Sequence, residues 1–437
     1  MGPARALAPP SRVSETVSNF GSSGPQRRAY LLGVSTAGAA TGGPGGRRLV
    51  FPSPLHDERV AAILGIALGV TFSVCFLTGL YSHYQQEQND ALFVIPARPI
   101  GLYRLTQGLH VATGIASVPL LVAKLWTVLP SFYEWPPVRS VDHLVQRLML
   151  VPLVAGSLFM LFSGVGNIAL WRPWGFDFRR GHHWVAWITI GALIAHMGAK
   201  WTTTHRALRR HPAGGGSVYR EAELAATPFT TAQPADGQVG GLTRRGFLMS
   251  VAAASGVLTV ATVGQTFGPL DRVSVLAPRR PGTGPQGVPV NRTAAQAGVT
   301  EVLADPGYRL VVSWPGGRRD FTYQELRAMP LHEAVLPIAC VEGWSADGHW
   351  RGIRVRDLAG TVGRSDPGEV VVRSLQEGSL FTSSRLNRAQ AADRDALLAL
   401  DLNGEPLHPD HGFPLRLIVG NRAGVLQTKW IDRVELA

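Results

Sequence analysis

Five runs with at most one charge each, at residues 60–81, 109–129, 148–170, 184–201 and 246–270, constrain this chain more than any other feature. Each approaches or exceeds the roughly 20 residues that an α-helix needs to cross a hydrocarbon layer. One such run could be a buried helix of a soluble protein. Five of them, the first four closely spaced, read as membrane spans. Composition agrees, with 16% charged and 45% hydrophobic residues, and 437 residues leave room for more than one domain.

The formal charge of +12 does not point to nucleic acid. The arginines sit at the ends of apolar runs, where a bilayer holds them, and form no patch interleaved with aromatics. Arg47, Arg48 and Arg59 precede the first run; Lys200 ends the fourth, and Arg206, Arg209, Arg210, Arg244 and Arg245 lie between it and the fifth. Both segments are therefore expected to be cytoplasmic. The loop carrying Arg172, Arg179 and Arg180 then faces outward, a mild exception. Five spans starting inside leave the C-terminal part outside the membrane. The Gly-, Ala- and Pro-rich residues 1–55 read as a disordered cytoplasmic tail, residues 56–205 as a four-helix membrane domain, and residues 206–242, with Gly214, Gly215 and Gly216, as a linker.

The fifth run opens on Thr243-Arg244-Arg245-Gly246-Phe247-Leu248. The plain alternative is a cytoplasmic anchor for a helix, but the setting of the arginine pair resembles the twin-arginine export signal. The uncharged run is long for a cleaved peptide, so residues 243–270 are expected to remain as a fifth anchor helix. The twin-arginine route implies export machinery as a partner and a domain that folds around its cofactor before export. That cofactor site is expected in residues 288–437, after a short linker at 271–287.

The chain has two cysteines, Cys75 within the first span and Cys340 in the last domain. Placed in different compartments, they cannot pair. A small buried hydrophobe suits Cys75, whereas a lone thiol in an oxidising compartment calls for a role. Cys340 lies in Leu336-Pro337-Ile338-Ala339-Cys340-Val341-Glu342-Gly343-Trp344-Ser345, followed by Trp350-Arg351-Gly352-Ile353 and Val355-Arg356-Asp357-Leu358. A second group comprises Leu402-Asn403-Gly404-Glu405-Pro406-Leu407, His411-Gly412-Phe413-Pro414-Leu415-Arg416-Leu417, Gly424 and Lys429-Trp430. These spaced motifs resemble the molybdenum-cofactor domain of the sulfite oxidase superfamily, in particular the branch of the periplasmic methionine sulfoxide reductase catalytic subunit.

The resemblance implies an α+β, β-rich domain with a mononuclear molybdenum held by a pterin dithiolene and by the sulfur of Cys340. It also implies His411 and Arg416 as pterin contacts, with Arg422 and Lys429 at its phosphate. Guanidinium and ammonium groups suit phosphate by charge and geometry; the plain alternative for Arg416 and Arg422 is a strand-end or surface cation. His411 stands where relatives often carry Asn, which leaves a turn-shaping role open. Without the resemblance, the runs at 310–312, 370–372 and 415–419 still read as strands, and Glu325-Leu326 as the start of a short helix. The domain shows no hydrolase elbow, Walker loop or zinc ribbon.

Histidines in apolar helices are expensive without a task, and bis-His haem ligation is a common one. His110, followed by Gly114, begins the core of the second span; His182 and His183 begin the fourth. His196 lies roughly 21 Å further along the same helix at about 1.5 Å per residue, a spacing for a second haem. His143 is its best partner and His83 a further candidate for the outer site; interfacial hydrogen bonding is the plain alternative for all of them.

The expectation is a membrane-bound molybdopterin oxidoreductase. Its four-helix transmembrane bundle resembles a b-type cytochrome, and a fifth anchor helix leads to the extracytoplasmic domain. Electrons would pass between a quinone or other membrane carrier, haem b and molybdenum, reducing a sulfoxide-like small molecule. A sulfite oxidase-type dehydrogenase is the first alternative, and a cofactor-free binding or sensor module on a membrane scaffold is the second.

Overall fold

Helices stand where the five apolar runs were read. The computed structural model describes residues 55–87, 94–132, 138, 140–171, 173, 175–209, 242–266, 268–303 and 305–437. The tail at 1–55, except for Leu55, and most of the linker at 206–242 lie outside the described residues. The helices are α1 (Glu58–Gln86), α2 (Leu102–Phe132), α3 (Val141–Ile168), α4 (Phe178–Arg209) and α5 (Arg244–Val263). Side chains supply three of their starts: Asp57, Ser140 and Thr243 accept hydrogen bonds from the first free amides of α1, α3 and α5. Thr243, the first residue of the export-like motif, is thus an N-cap.

Among the described residues, α1, α2, α3 and α5 are long and apolar enough to cross a membrane. This differs from the reading of the fourth run as a span of the same kind. α4 is long enough, but Arg179, Arg180, Lys200, Arg206 and Arg209 dilute its apolar composition. It still packs along α1 and α3.

Contacts fix the helix directions. Thr71 meets Ser117 at 2.9 Å, and Lys124 donates to the Ala61 carbonyl at 2.6 Å, so α1 and α2 are antiparallel. His182 meets Ser163, and Lys200 donates to Gln146, so α3 and α4 are antiparallel. Ser255 of α5 donates to the Ala116 carbonyl, and Arg244 pairs with Asp57 at 3.2 Å, which puts the starts of α5 and α1 at one end of the bundle. Large apolar side chains such as Val70, Leu77, Val122, Leu148, Val151, Ile194 and Val257 remain exposed on the outer faces, as a lipid-facing surface requires.

α5 ends at Val263, short of the end of the apolar run, because the chain turns back on itself there. Ser274 donates to the carbonyls of Val260 and Leu270, and a Cβ on Gly264 would lie 2.5 Å from the Ser274 hydroxyl. The following segment is bound to the last domain: Gln286 donates to the Leu402 carbonyl at 3.0 Å and accepts from the His408 amide.

The last domain contains two five-stranded sheets. One has β1 (Arg309–Trp314), β2 (Gly317–Thr322), β5 (Val370–Ser374), β6 (Ser383–Leu386) and β10 (Ile431–Leu436), in the order β2-β1-β10-β5-β6. β1 and β10 are parallel and the other pairs antiparallel. The second sheet runs β3 (His332–Ala339), β4 (Ser345–Arg354), β7 (Leu397–Leu402) and β8 (Glu405–Pro406), with β9 (Arg416–Ile418) also paired to β7. The runs at 310–312 and 370–372 are therefore strands, and that at 415–419 is one over Arg416–Ile418. The expected short helix is Tyr323–Ala328, opened by a capping box between Thr322 and Glu325. One apolar cluster joins both sheets through residues such as Val312, Val372, Val434, Leu398 and Leu417.

The segment at 94–101, between α1 and α2, is built into this domain. Ala97 belongs to the same apolar cluster, and a Cβ on Gly420 would lie 2.9 Å from the Ala97 carbonyl oxygen. Asn421, in the left-handed region at φ 49°, donates from Nδ2 to the Pro96 carbonyl and from its amide to the Ile100 carbonyl. It also accepts from Tyr81 and Gln85 at the end of α1. Arg98 pairs with Asp393 at 2.9 Å and with Asp395.

Candidate functional site

Cys340 follows β3 in a tight turn before β4. Its amide donates to the Trp344 carbonyl at 2.9 Å, and the Gly343 amide donates back to the Cys340 carbonyl at 3.1 Å. Gly343 holds φ at 91° and presses on α2: a Cβ there would lie 3.0 Å from a methyl group of Val111. Glu342 accepts from the Trp344 indole at 2.9 Å and pairs with Arg279 at 3.1 Å. The thiol is 2% exposed, and burial together with the Glu342 carboxylate pushes its pKa up. A metal would reverse that preference, because it binds the thiolate directly.

Three buried basic groups stand behind the turn. The Lys429 ammonium donates to the carbonyls of Arg292 and Asp410, each at 2.8 Å. Arg416 donates to the His411 carbonyl at 3.0 Å and lies over the Trp350 ring. His411 bonds through Nε2 to the Pro285 carbonyl at 2.8 Å. Among the described residues neither Arg416 nor Lys429 makes an ion pair. Burial lowers Arg416 to about 9 and Lys429 well below its ordinary value, and burial and Arg416 lower His411 to about 4. Among the described residues, Arg416 Nε and His411 Nδ1 have no hydrogen-bond partner. Buried cations without counter-ions are costly, so this arrangement suits an anionic ligand such as a phosphate. Arg422 is placed differently: its guanidinium donates to the carbonyls of Leu426 and Arg385 and to the Gln390 side chain.

A cavity of about 1060 Å³ runs from Cys340 and Lys429 into the helical bundle. At its far side it is lined by His83, His110, His182 and His183. His110 Nδ1 donates to the Cys75 carbonyl at 2.8 Å, and Gly79 leaves room for the ring, since a Cβ there would lie 2.6 Å from it. His182 Nδ1 lies 3.0 Å from the Ser163 hydroxyl. Each imidazole is thus anchored through one nitrogen. Their ring centres are 6.4 Å apart, a separation that accommodates two metal–nitrogen bonds of about 2.0–2.1 Å with the metal between the rings. His83 and His183 instead stack with centres 3.8 Å apart, too close for a metal between them.

The structure therefore brings Cys340, Lys429, His110, His182 and His183 around one cavity, with Arg416 and His411 behind Lys429 and Arg422 among internal carbonyls. His196 lies further along α4, outside the cavity lining, and His143 at the start of α3 accepts from Arg147 at 3.4 Å. Gly114 lines the cavity beside the Cys75 sulfur. Sequence reading missed Gln107, Arg292, Gln376 and Gln427, which also line it. Gln427 lies between Gly424 and Lys429-Trp430 of the second motif group, a signal that was available. Gln107 and Gln376 carried none.

Residues 297–437 match the model of the oxidoreductase molybdopterin binding domain. The chain is 32% identical over 115 residues to an uncharacterized oxidoreductase, YuiH, of Bacillus subtilis (strain 168), covering 26% of this chain and 57% of that protein. It is 38% identical over 97 residues to a nitrate reductase [NAD(P)H] of Hordeum vulgare, covering 20% and 11%. It is 29% identical over 157 residues to the mitochondrial sulfite oxidase of Rattus norvegicus, covering 30% and 29%. The chain thus spans less than two thirds of each relative. Its C-terminal part, residues 297–437, matches the molybdopterin-binding oxidoreductase domain and is similar there to sulfite oxidases and nitrate reductases.

Proposed function

We propose that the chain is a membrane-bound enzyme that passes electrons between a quinone or other membrane carrier, a haem b in the helical bundle and an extracytoplasmic molybdenum centre, where a sulfoxide-like small molecule is reduced. One observation supports this most: Cys340 and the anchored pair His110 and His182 line the same cavity. Cys340 is the soft anionic donor that would hold the metal. Lys429, Arg416 and His411 offer the anion-binding side, where the pterin phosphate would neutralise the buried charge; Arg422 braces that wall from within. The molybdenum cofactor supplies two-electron oxygen-atom chemistry at the metal. The chain holds its ligands, excludes water around Cys340 and fixes the loop against α2.

His110 and His182 are the proposed haem ligands. The Cys75 carbonyl and Ser163 hydroxyl fix their rings, as outer partners of metal-bound histidines do. His183 stacks on His83 at the rim, and His196 stays apart from the cavity. The outer end of the bundle, where the histidines and Cys340 meet, is assigned to the extracytoplasmic side. The start of α5 at Arg244-Arg245 is assigned to the cytoplasmic side, with export by the twin-arginine machinery.

Metal analysis and optical spectra of the purified protein test this reading. His182→Ala is expected to lose the reduced b-type bands and keep molybdenum, while Cys340→Ser keeps the bands and loses substrate turnover. A wild-type protein without molybdenum after expression in a cofactor-competent host would sink it. Oxidation of a sulfite-like substrate is a second reading, favoured by the similarity to a sulfite oxidase. Assays of sulfite and sulfoxides with artificial acceptors and donors separate the two.

A further inference from the structure

Gln107 stands on α2 one turn before His110 and is 4% exposed. Its Nε2 donates to the Val341 carbonyl at 3.1 Å, directly after Cys340 in the chain. Its Oε1 is buried with no donor among the described residues, yet the side chain lines the cavity. An unpartnered buried carbonyl is destabilising, so a group filling the cavity is expected to satisfy it. The turn has a second, apolar hold on the same helix where Gly343 meets Val111.

We propose that Gln107 is the positioning residue that couples the Cys340 turn to the helix carrying His110. Its N–H group fixes the turn, and its free carbonyl accepts a hydrogen bond from a donor on the group that fills the cavity. This rests on the molybdenum and haem reading above. A connected path then leads from Cys340 through the Val341 carbonyl and the Gln107 amide to the α2 backbone and His110. Each crossing carries one electron, oxidising one centre and reducing the other by one unit, with no bond made or broken. A two-electron substrate requires two crossings.

The test uses the full-length protein in detergent, with metal and haem content measured for every variant. In Gln107→Leu prepared without molybdenum cofactor, amide exchange at residues 341–344 is expected to rise roughly fivefold, the effect of one lost hydrogen bond of about 1 kcal/mol. In the loaded protein, the response of the haem bands to a molybdenum substrate is expected to slow by about tenfold. Turnover with a soluble dye that exchanges electrons directly at molybdenum is expected to fall by less than the haem response does, a split that general loosening of the fold would not produce. Val111→Ala removes the apolar hold alone and leaves the haem response unchanged. The inference is overturned if Gln107→Leu transfers at the wild-type rate, or if Val111→Ala slows transfer equally. A loaded wild-type protein whose haem bands ignore every molybdenum substrate overturns both this inference and the proposed function.

Discussion

Arg416, Arg422 and Lys429 are all buried cations, but they are satisfied in different ways. Arg422 has carbonyl and amide partners for each of its nitrogens, whereas Arg416 Nε finds no partner among the described residues and Lys429 faces the cavity. His411 completes this group and gives it a pH signature. Its folded value of about 4 lies below the ordinary imidazole value of 6.5, so the unfolded chain takes up the proton first as pH falls. The associated stability is whole above about pH 6.5 and is lost as pH falls toward about 4, by up to about 3 kcal/mol. Thermal unfolding at pH 7 and pH 4.5 should show this drop, and His411→Asn should reduce it. Cys340 was legible because its motif is local and its chemistry specific. The inward role of Arg422 was not, because its partners at residues 385, 390 and 426 converge only in the fold.

At the scale of elements, the helices were legible as runs of apolar residues, since length and hydropathy alone define a span. The end of α5 was not, because it depends on the Ser274 contacts that fold the chain back at Gly264. Least legible was the segment at 94–101, which carries no periodicity and finds its partners some three hundred residues later. Asn421 holds it with one side-chain and one backbone hydrogen bond and occupies the left-handed backbone region that Asn tolerates better than most residues. Asn421→Ala is expected to destabilise the docked arrangement by about 2–3 kcal/mol. Hydrogen exchange at residues 94–101 measures that loss directly; exchange unchanged from wild type would show that Asn421 does not hold the segment.

For the whole molecule, the two modules meet at the end of the bundle opposite Arg244. The reading that places this end outside predicts that protease added to intact cells reaches the domain after residue 270. Replacing both Arg244 and Arg245 with Lys should leave that domain protected from the same protease. The sequence carried the two modules and their order, through the apolar runs and the Cys340 motif. It did not carry their interlock, for neither surface has a local signature. Ala97 sits in the core cluster of the last domain, but it belongs to the segment between the first two helices. If the domain crosses the membrane already folded, its core crosses with a gap. The segment at 94–101 would then be the last part to enter, and final assembly of the enzyme would be an extracellular event that follows export.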